Sequence, residues 1–102
     1  MFFRIQNPNI TLEQMQDFTS ADGGDGFVEC GGVCACESVG ELTNNTAFTT
    51  GHGLEVVIFC GQKVCNIYDG VRVIPTKIVD RISAKDFYDM SKDSGSVIYD
   101  YE

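Results

Sequence analysis

Residues 54–74 read Leu54-Glu55-Val56-Val57-Ile58-Phe59-Cys60-Gly61-Gln62-Lys63-Val64-Cys65-Asn66-Ile67-Tyr68-Asp69-Gly70-Val71-Arg72-Val73-Ile74. Three short β-prone runs are separated by two glycine-containing dipeptides. Gly61-Gln62 has the Gly-X order of a type II′ hairpin turn, and Asp69-Gly70 the composition of a type I′ turn. The reading is a three-stranded antiparallel meander of 55–60, 63–68 and 71–74, with Ile58 opposite Cys65 and Cys65 opposite Ile74. On that register Val56, Ile58, Cys65, Ile67 and Ile74 share one face. Val57, Phe59, Val64, Tyr68, Val71 and Val73 share the other. Apolar residues on both faces predict a sheet covered on both sides, with helices on at least one. Pro75 lacks the donor needed to continue a ladder and predicts an edge or a bulge.

Outward from the meander, three stretches carry helix-start chemistry. Thr11-Leu12-Glu13-Gln14 fits a capping box, flanked by Ile10 and Met15 as a hydrophobic staple. The helix it opens is expected over 12–19, burying Leu12, Met15 and Phe18. Ser38-Val39-Gly40-Glu41 opens a shorter helix that Gly40 weakens. Ser83 with Asp86, bracketed by Ile82 and Phe87, opens a third that ends near Lys92. Strands are expected at 2–6, 27–30 and 33–36. A last one is expected at 96–101, where Val97, Tyr99 and Tyr101 alternate with Ile98 and Asp100. The sum is an α+β domain over residues 1–102, with an antiparallel sheet, a central three-stranded meander and about three short helices.

The 102 residues carry a formal charge of −8, unevenly placed. Residues 1–54 hold seven acids against Arg4 alone, a balance of −6; the remainder holds eight acids against six bases, a balance of −2. Such a front half repels phosphate backbones and anionic lipid, which argues against direct nucleic-acid or membrane binding. No stretch reaches the roughly 20 apolar residues of a bilayer span. The first residues lack the basic head and apolar run of a signal peptide. A cytoplasmic location follows as the expectation, with the Asn9 and Asn44 sequons accidental. Five cysteines, an odd number, fit free thiols in a reducing compartment.

Four constellations could carry chemistry. Cys30, Cys34, Cys36, Cys60 and Cys65 with His52 are suitable zinc donors. Their intervals, C-x3-C, C-x-C and C-x4-C, lack the tight knuckle of structural sites, so no metal ligand is assigned. His52 beside a thiol would supply a base and a nucleophile, but no third residue to orient the imidazole can be named. The run Asp22-Gly23-Gly24-Asp25-Gly26 with Glu29 lacks the alternating ligands and twelfth-position carboxylate of a calcium loop. Arg4, on the first strand ahead of a short helix and a small sheet, gives a layout that resembles ADP-ribosyltransferase domains. That resemblance implies a strand arginine holding the phosphates of a nicotinamide dinucleotide. The family's catalytic Glu-x-Glu pair is absent here.

The leading expectation is therefore a protein-interaction module without cofactor or catalytic residue. Asp17, Asp22, Asp25, Glu29, Glu37 and Glu41 are expected to dock on a basic surface of a partner protein. One form of this is an inhibitor or nucleic-acid mimic occupying a nucleic-acid-binding protein; phage anti-defence and anti-CRISPR proteins share this size and charge in composition only. The alternative is a small transferase or hydrolase using Arg4 and His52.

Overall fold

The computed structural model describes residues 1–17, 31–44, 53–68 and 70–102. Their order is β1 (Phe2–Gln6), α1 (Leu12–Asp17), β2 (Val33–Ala35), α2 (Val39–Thr43), β3 (Glu55–Ile67), β4 (Gly70–Ser83), α3 (Ala84–Ser91) and a C-terminal 3-10 helix (Val97–Tyr101). One antiparallel sheet runs β1-β3-β4-β2. The domain is α+β, as expected.

The sheet is not built on a three-stranded meander. Gly61-Gln62 does not turn: β3 passes straight through it as one 13-residue strand, and its only reversal, into β4, lies between the paired residues Ile67 and Gly70. Ile58 consequently pairs with Asp80, and Cys65 with Arg72. The glycine at 61 answers a steric demand instead. A Cβ there would lie 2.5 Å from both the Ile74 carbonyl oxygen and Val73 Cγ1, because Gly61 faces Pro75 at a register shift where the ladder bends. Such bulges increase local twist and bend the strand. Three of them, at Ile58/Phe59, Cys60/Gly61 and Lys63/Cys65, punctuate the hairpin. Of the edge or bulge expected at Pro75, a bulge is present, but β4 continues beyond it to Ser83.

β1 pairs with the first half of β3 and β2 with the start of β4, on opposite edges of the hairpin. Yet the two edge strands touch. Phe3 N donates to Cys36 O at 2.9 Å, and Cys36 N donates to Phe3 O at 2.8 Å. The sheet has curled until its edges share a bridge, which consumes edge donors that could otherwise pair with another chain.

Both faces are buried. Phe3, Cys36, Val56 and Ile58 pack with Val39 and Leu42 of α2, Phe87 of α3 and Ile98 of the 3-10 helix. On the other face Val33, Ala35, Val57, Phe59, Val71 and Val73 pack with Met15 of α1. The expected division of Val56 and Ile58 from Val57, Phe59, Val71 and Val73 holds. Tyr68, placed on a covered face, is instead fully exposed beside the reversal.

The helix starts follow the sequence. Thr11 N donates to Gln14 Oε1 at 2.8 Å and Gln14 N to Thr11 Oγ1 at 3.2 Å, a complete reciprocal box. Ser83 Oγ accepts from Asp86 N at 3.2 Å, and Ile82 and Phe87 join one cluster. Met15 is buried and Leu12 half-buried; Phe18 and the expected strand at 27–30 lie outside the described residues. The C-terminal segment is a 3-10 helix, not a strand. At about three residues per turn, Ile98 and Tyr101 fall on one side and both reach the first cluster. Ser96 Oγ accepts from Ile98 N, and Tyr99 Oη donates to Ser91 O at 2.5 Å.

Candidate functional site

Three arginines are bound within the fold: Arg72 is buried, Arg4 and Arg81 are half-buried, and each donates to at least one backbone carbonyl. Arg4 Nε donates to Gln6 Oε1 at 3.1 Å and Nη1 to Cys34 O at 2.9 Å, tying β1 to β2 beside the edge bridge. Arg81 is half-buried; it bonds Glu55 and donates through Nη2 to Ile10 O. Glu55 Oε1 also accepts from Asn9 N at 3.2 Å, so this cluster anchors the turn between β1 and α1. Arg72 is 2% exposed and donates to Gly31 O, Gly32 O and Cys34 Sγ.

The carboxylates point the other way. Nine of the eleven described acids are exposed; only Glu55 and Asp80 are half-buried. Asp80 accepts from Tyr101 Oη at 3.1 Å, and that carboxylate holds the Tyr101 phenol above its ordinary pKa of 10.0. Because arginine cannot lose its charge, turning it inward removes a cation from the surface without removing it from the net charge. The outer shell is thus more acidic than composition suggests.

Of the residues expected to dock, Glu37 and Glu41 come together at the start of α2. Glu41 N donates to Ser38 Oγ at 3.1 Å, and Glu41 Oε2 accepts from Glu37 N at 3.1 Å. Glu37 Oε1 lies 3.5 Å from Lys63 Nζ, with both side chains well solvated. Exposed pairs of this kind contribute about 0–1 kcal/mol. Asp17 ends α1, which packs on the opposite sheet face from α2. An acid in a last helical turn opposes the helix dipole, so its place there is not explained by helix stability. Asp22, Asp25, Glu29 and His52 lie outside the described residues.

Sequence reasoning passed over a second acidic group. Asp86, Asp89, Asp93, Asp100 and Glu102 are exposed on or beside α3 and the 3-10 helix, the elements that cover the same face as α2. Lys85 and Lys92 are their basic neighbours, and Lys92 Nζ sits 4.4 Å from the Tyr88 ring centre. Glu102 Oε1 reaches back to accept from Val39 N at 2.5 Å, joining the tail to the first turn of α2. The missed signal is the count in the second half. Its −2 balance included Arg72, which is buried, whereas Arg81 and Glu55 engage each other and cancel in the count.

The cysteines differ from the expectation of five free thiols. Cys34, Cys36 and Cys60 are free, whereas Cys65 is disulfide-bonded. A half-buried place near the hairpin reversal, opposite Arg72, does not by itself decide thiol state, and an odd cysteine count is compatible with one bridge. Among the described residues, no three His, Cys, Asp or Glu side chains converge as a metal site. None of the described helices is long and apolar enough to cross a membrane. Comparison with protein-family models, curated proteins and solved structures finds no match.

Proposed function

We propose that this protein is an interaction module that docks, through exposed carboxylates, on a basic surface of a partner protein. Asp17, Asp22, Asp25, Glu29, Glu37 and Glu41 form the proposed contact set. A partner that otherwise holds nucleic-acid phosphates is the form of the reading in which the module acts as an inhibitor. What supports it most is the separation of charge: Arg4, Arg72 and Arg81 engage the fold's own backbone while nine of eleven described acids face solvent. A concentrated negative field accelerates encounter with a positive surface and penalises anionic competitors.

The test is affinity capture on immobilised protein at about 50 mM and about 300 mM salt, where screening shortens from beyond to below roughly 10 Å. Retention of a basic protein at low salt and its loss at high salt is the expected result. Recovery of a small nucleotide, with no protein lost between the two conditions, contradicts docking and favours an enzyme.

A further inference from the structure

The cysteines of the chain are Cys30, Cys34, Cys36, Cys60 and Cys65. Cys34, Cys36 and Cys60 are free thiols, whereas Cys65 is disulfide-bonded. A bridge needs a second sulfur, and within this chain only Cys30 is left to supply it.

The sheet register agrees with that count. Cys65 of β3 pairs with Arg72 of β4, and paired residues of antiparallel strands project to one face with Cβ atoms about 4.5–5.5 Å apart. Arg72 Nε donates to Gly31 O at 2.9 Å, and Nη2 donates to Gly32 O. Gly32, at a φ of +81, lies so close to β4 that a Cβ there would stand 2.9 Å from the Val73 backbone. Gly31 directly follows Cys30, and consecutive Cα atoms are about 3.8 Å apart. Arg72 therefore holds the chain one residue from Cys30 beside the strand that carries Cys65. A disulfide needs Cα atoms about 4.4–6.8 Å apart, which this attachment permits. Cys34 pairs with Arg72 from the far side of β4, two strand spacings or about 9.5 Å from Cys65, too far to compete.

We infer that Cys65 is bridged to Cys30, and that this bridge is a redox-sensitive clamp between the chain at Gly31-Gly32 and the β3–β4 hairpin. The loop it closes, from 30 to 65, contains β2 and α2. Such a constraint stabilises the fold mainly by restricting the unfolded chain. A dithiol opens it in two exchanges. One dithiol sulfur, as thiolate, bonds to a bridge sulfur; the S–S bond breaks and the other cysteine leaves with the electron pair. The second dithiol sulfur then displaces the remaining cysteine and closes a cyclic disulfide. The dithiol is oxidised by two electrons, and its two protons end on Cys30 and Cys65. The hydrogen bonds from Arg72 to Gly31 and Gly32 do not depend on the bridge, so the reduced fold is expected to persist at lower stability.

The experiment begins with unreduced protein denatured in iodoacetamide and cut with trypsin and Glu-C. Cleavage after Glu29, Glu37, Lys63 and Arg72 leaves Cys30 in fragment 30–37 and Cys65 in fragment 64–72. Tandem mass spectrometry is expected to find these two fragments linked through Cys30 and Cys65, with Cys34, Cys36 and Cys60 alkylated. Alkylated Cys30, or Cys65 linked to any other cysteine or to a second copy, overturns the pairing. Melting curves before and after treatment with dithiothreitol test the clamp. Reduction is expected to lower the melting temperature by roughly 10–30 °C, and reoxidation to restore it. Cys30→Ser is expected to melt like the reduced parent with or without dithiothreitol. Equal melting of oxidised and reduced parent overturns the clamp even where the linked fragments are found.

Discussion

Alanine at position 61 discriminates between a turn and a continuous strand. In β3 the new Cβ would stand 2.5 Å from the Ile74 carbonyl oxygen and from Val73 Cγ1. Ordinary contact begins near 3.4 Å, so the strands must part by about 1 Å. The valine methyl can rotate aside, but the carbonyl belongs to the β4 backbone, which is held by pairing on both sides of the bend. Overpacking of this kind costs roughly 1–3 kcal/mol. Reduced freedom of the unfolded chain returns about 0.4–1 kcal/mol. The net expectation is a loss of about 1–2 kcal/mol, or a melting temperature lower by roughly 4–15 °C for a domain of this size. Gly40→Ala is the matched control: it sits in α2, and a Cβ added there would meet nothing within 4 Å. Helix propensity predicts a gain of about 0.5–1 kcal/mol there. Thermal and urea unfolding of the two variants beside the parent suffice. If Gly61→Ala unfolds at or above the parent temperature, β3 does not run past β4 as described.

Two further outcomes can be checked directly. Tyr101 is expected to ionise above 10.0 because the Asp80 carboxylate accepts its proton and repels its phenolate. Since the folded value is raised, the stabilisation is present below the unfolded pKa and is lost as pH rises through the folded one. An NMR titration of Tyr101 in the parent and in Asp80→Asn reads this; the same value in both excludes Asp80 as the cause. With Cys65 in a disulfide, one bridge among five cysteines leaves three thiols reactive to Ellman's reagent in non-reducing denaturant, and five after reduction. Five before reduction would instead restore the all-thiol expectation.

The local chemistry of this fold was legible because local groups satisfy it. Thr11 with Gln14 and Ser83 with Asp86 cap helices through atoms three residues apart, and no tertiary context is needed to see them. The alternation Val56-Val57-Ile58-Phe59 divides correctly between two buried faces for the same reason. Gly61 misled because glycine answers both a positive φ and a close backbone approach, and only the partner strand distinguishes the two. Residues 96–101 misled because their pattern serves a strand and a 3-10 turn equally, until the core side of Ile98 is known. The acidic character of the chain was legible in composition. Its outward direction was not, because burial of Arg72 and engagement of Arg4 and Arg81 arise from non-local contacts with Gly31, Gly32, Cys34 and Ile10.

Docking through the carboxylates is tested most directly by the association rate of a captured partner with the parent and with the triple variant Asp22→Lys, Asp25→Lys, Glu29→Lys. Rates are measured by surface plasmon resonance across a salt series, with a melting curve for each protein. Single exposed carboxylates should each matter by about 1 kcal/mol or less. Reversing three together inverts the local field and should slow association about tenfold or more at low salt, with the gap closing as salt rises and the melting temperature nearly unchanged. Equal association rates for parent and variant at low salt would contradict docking through this acidic surface.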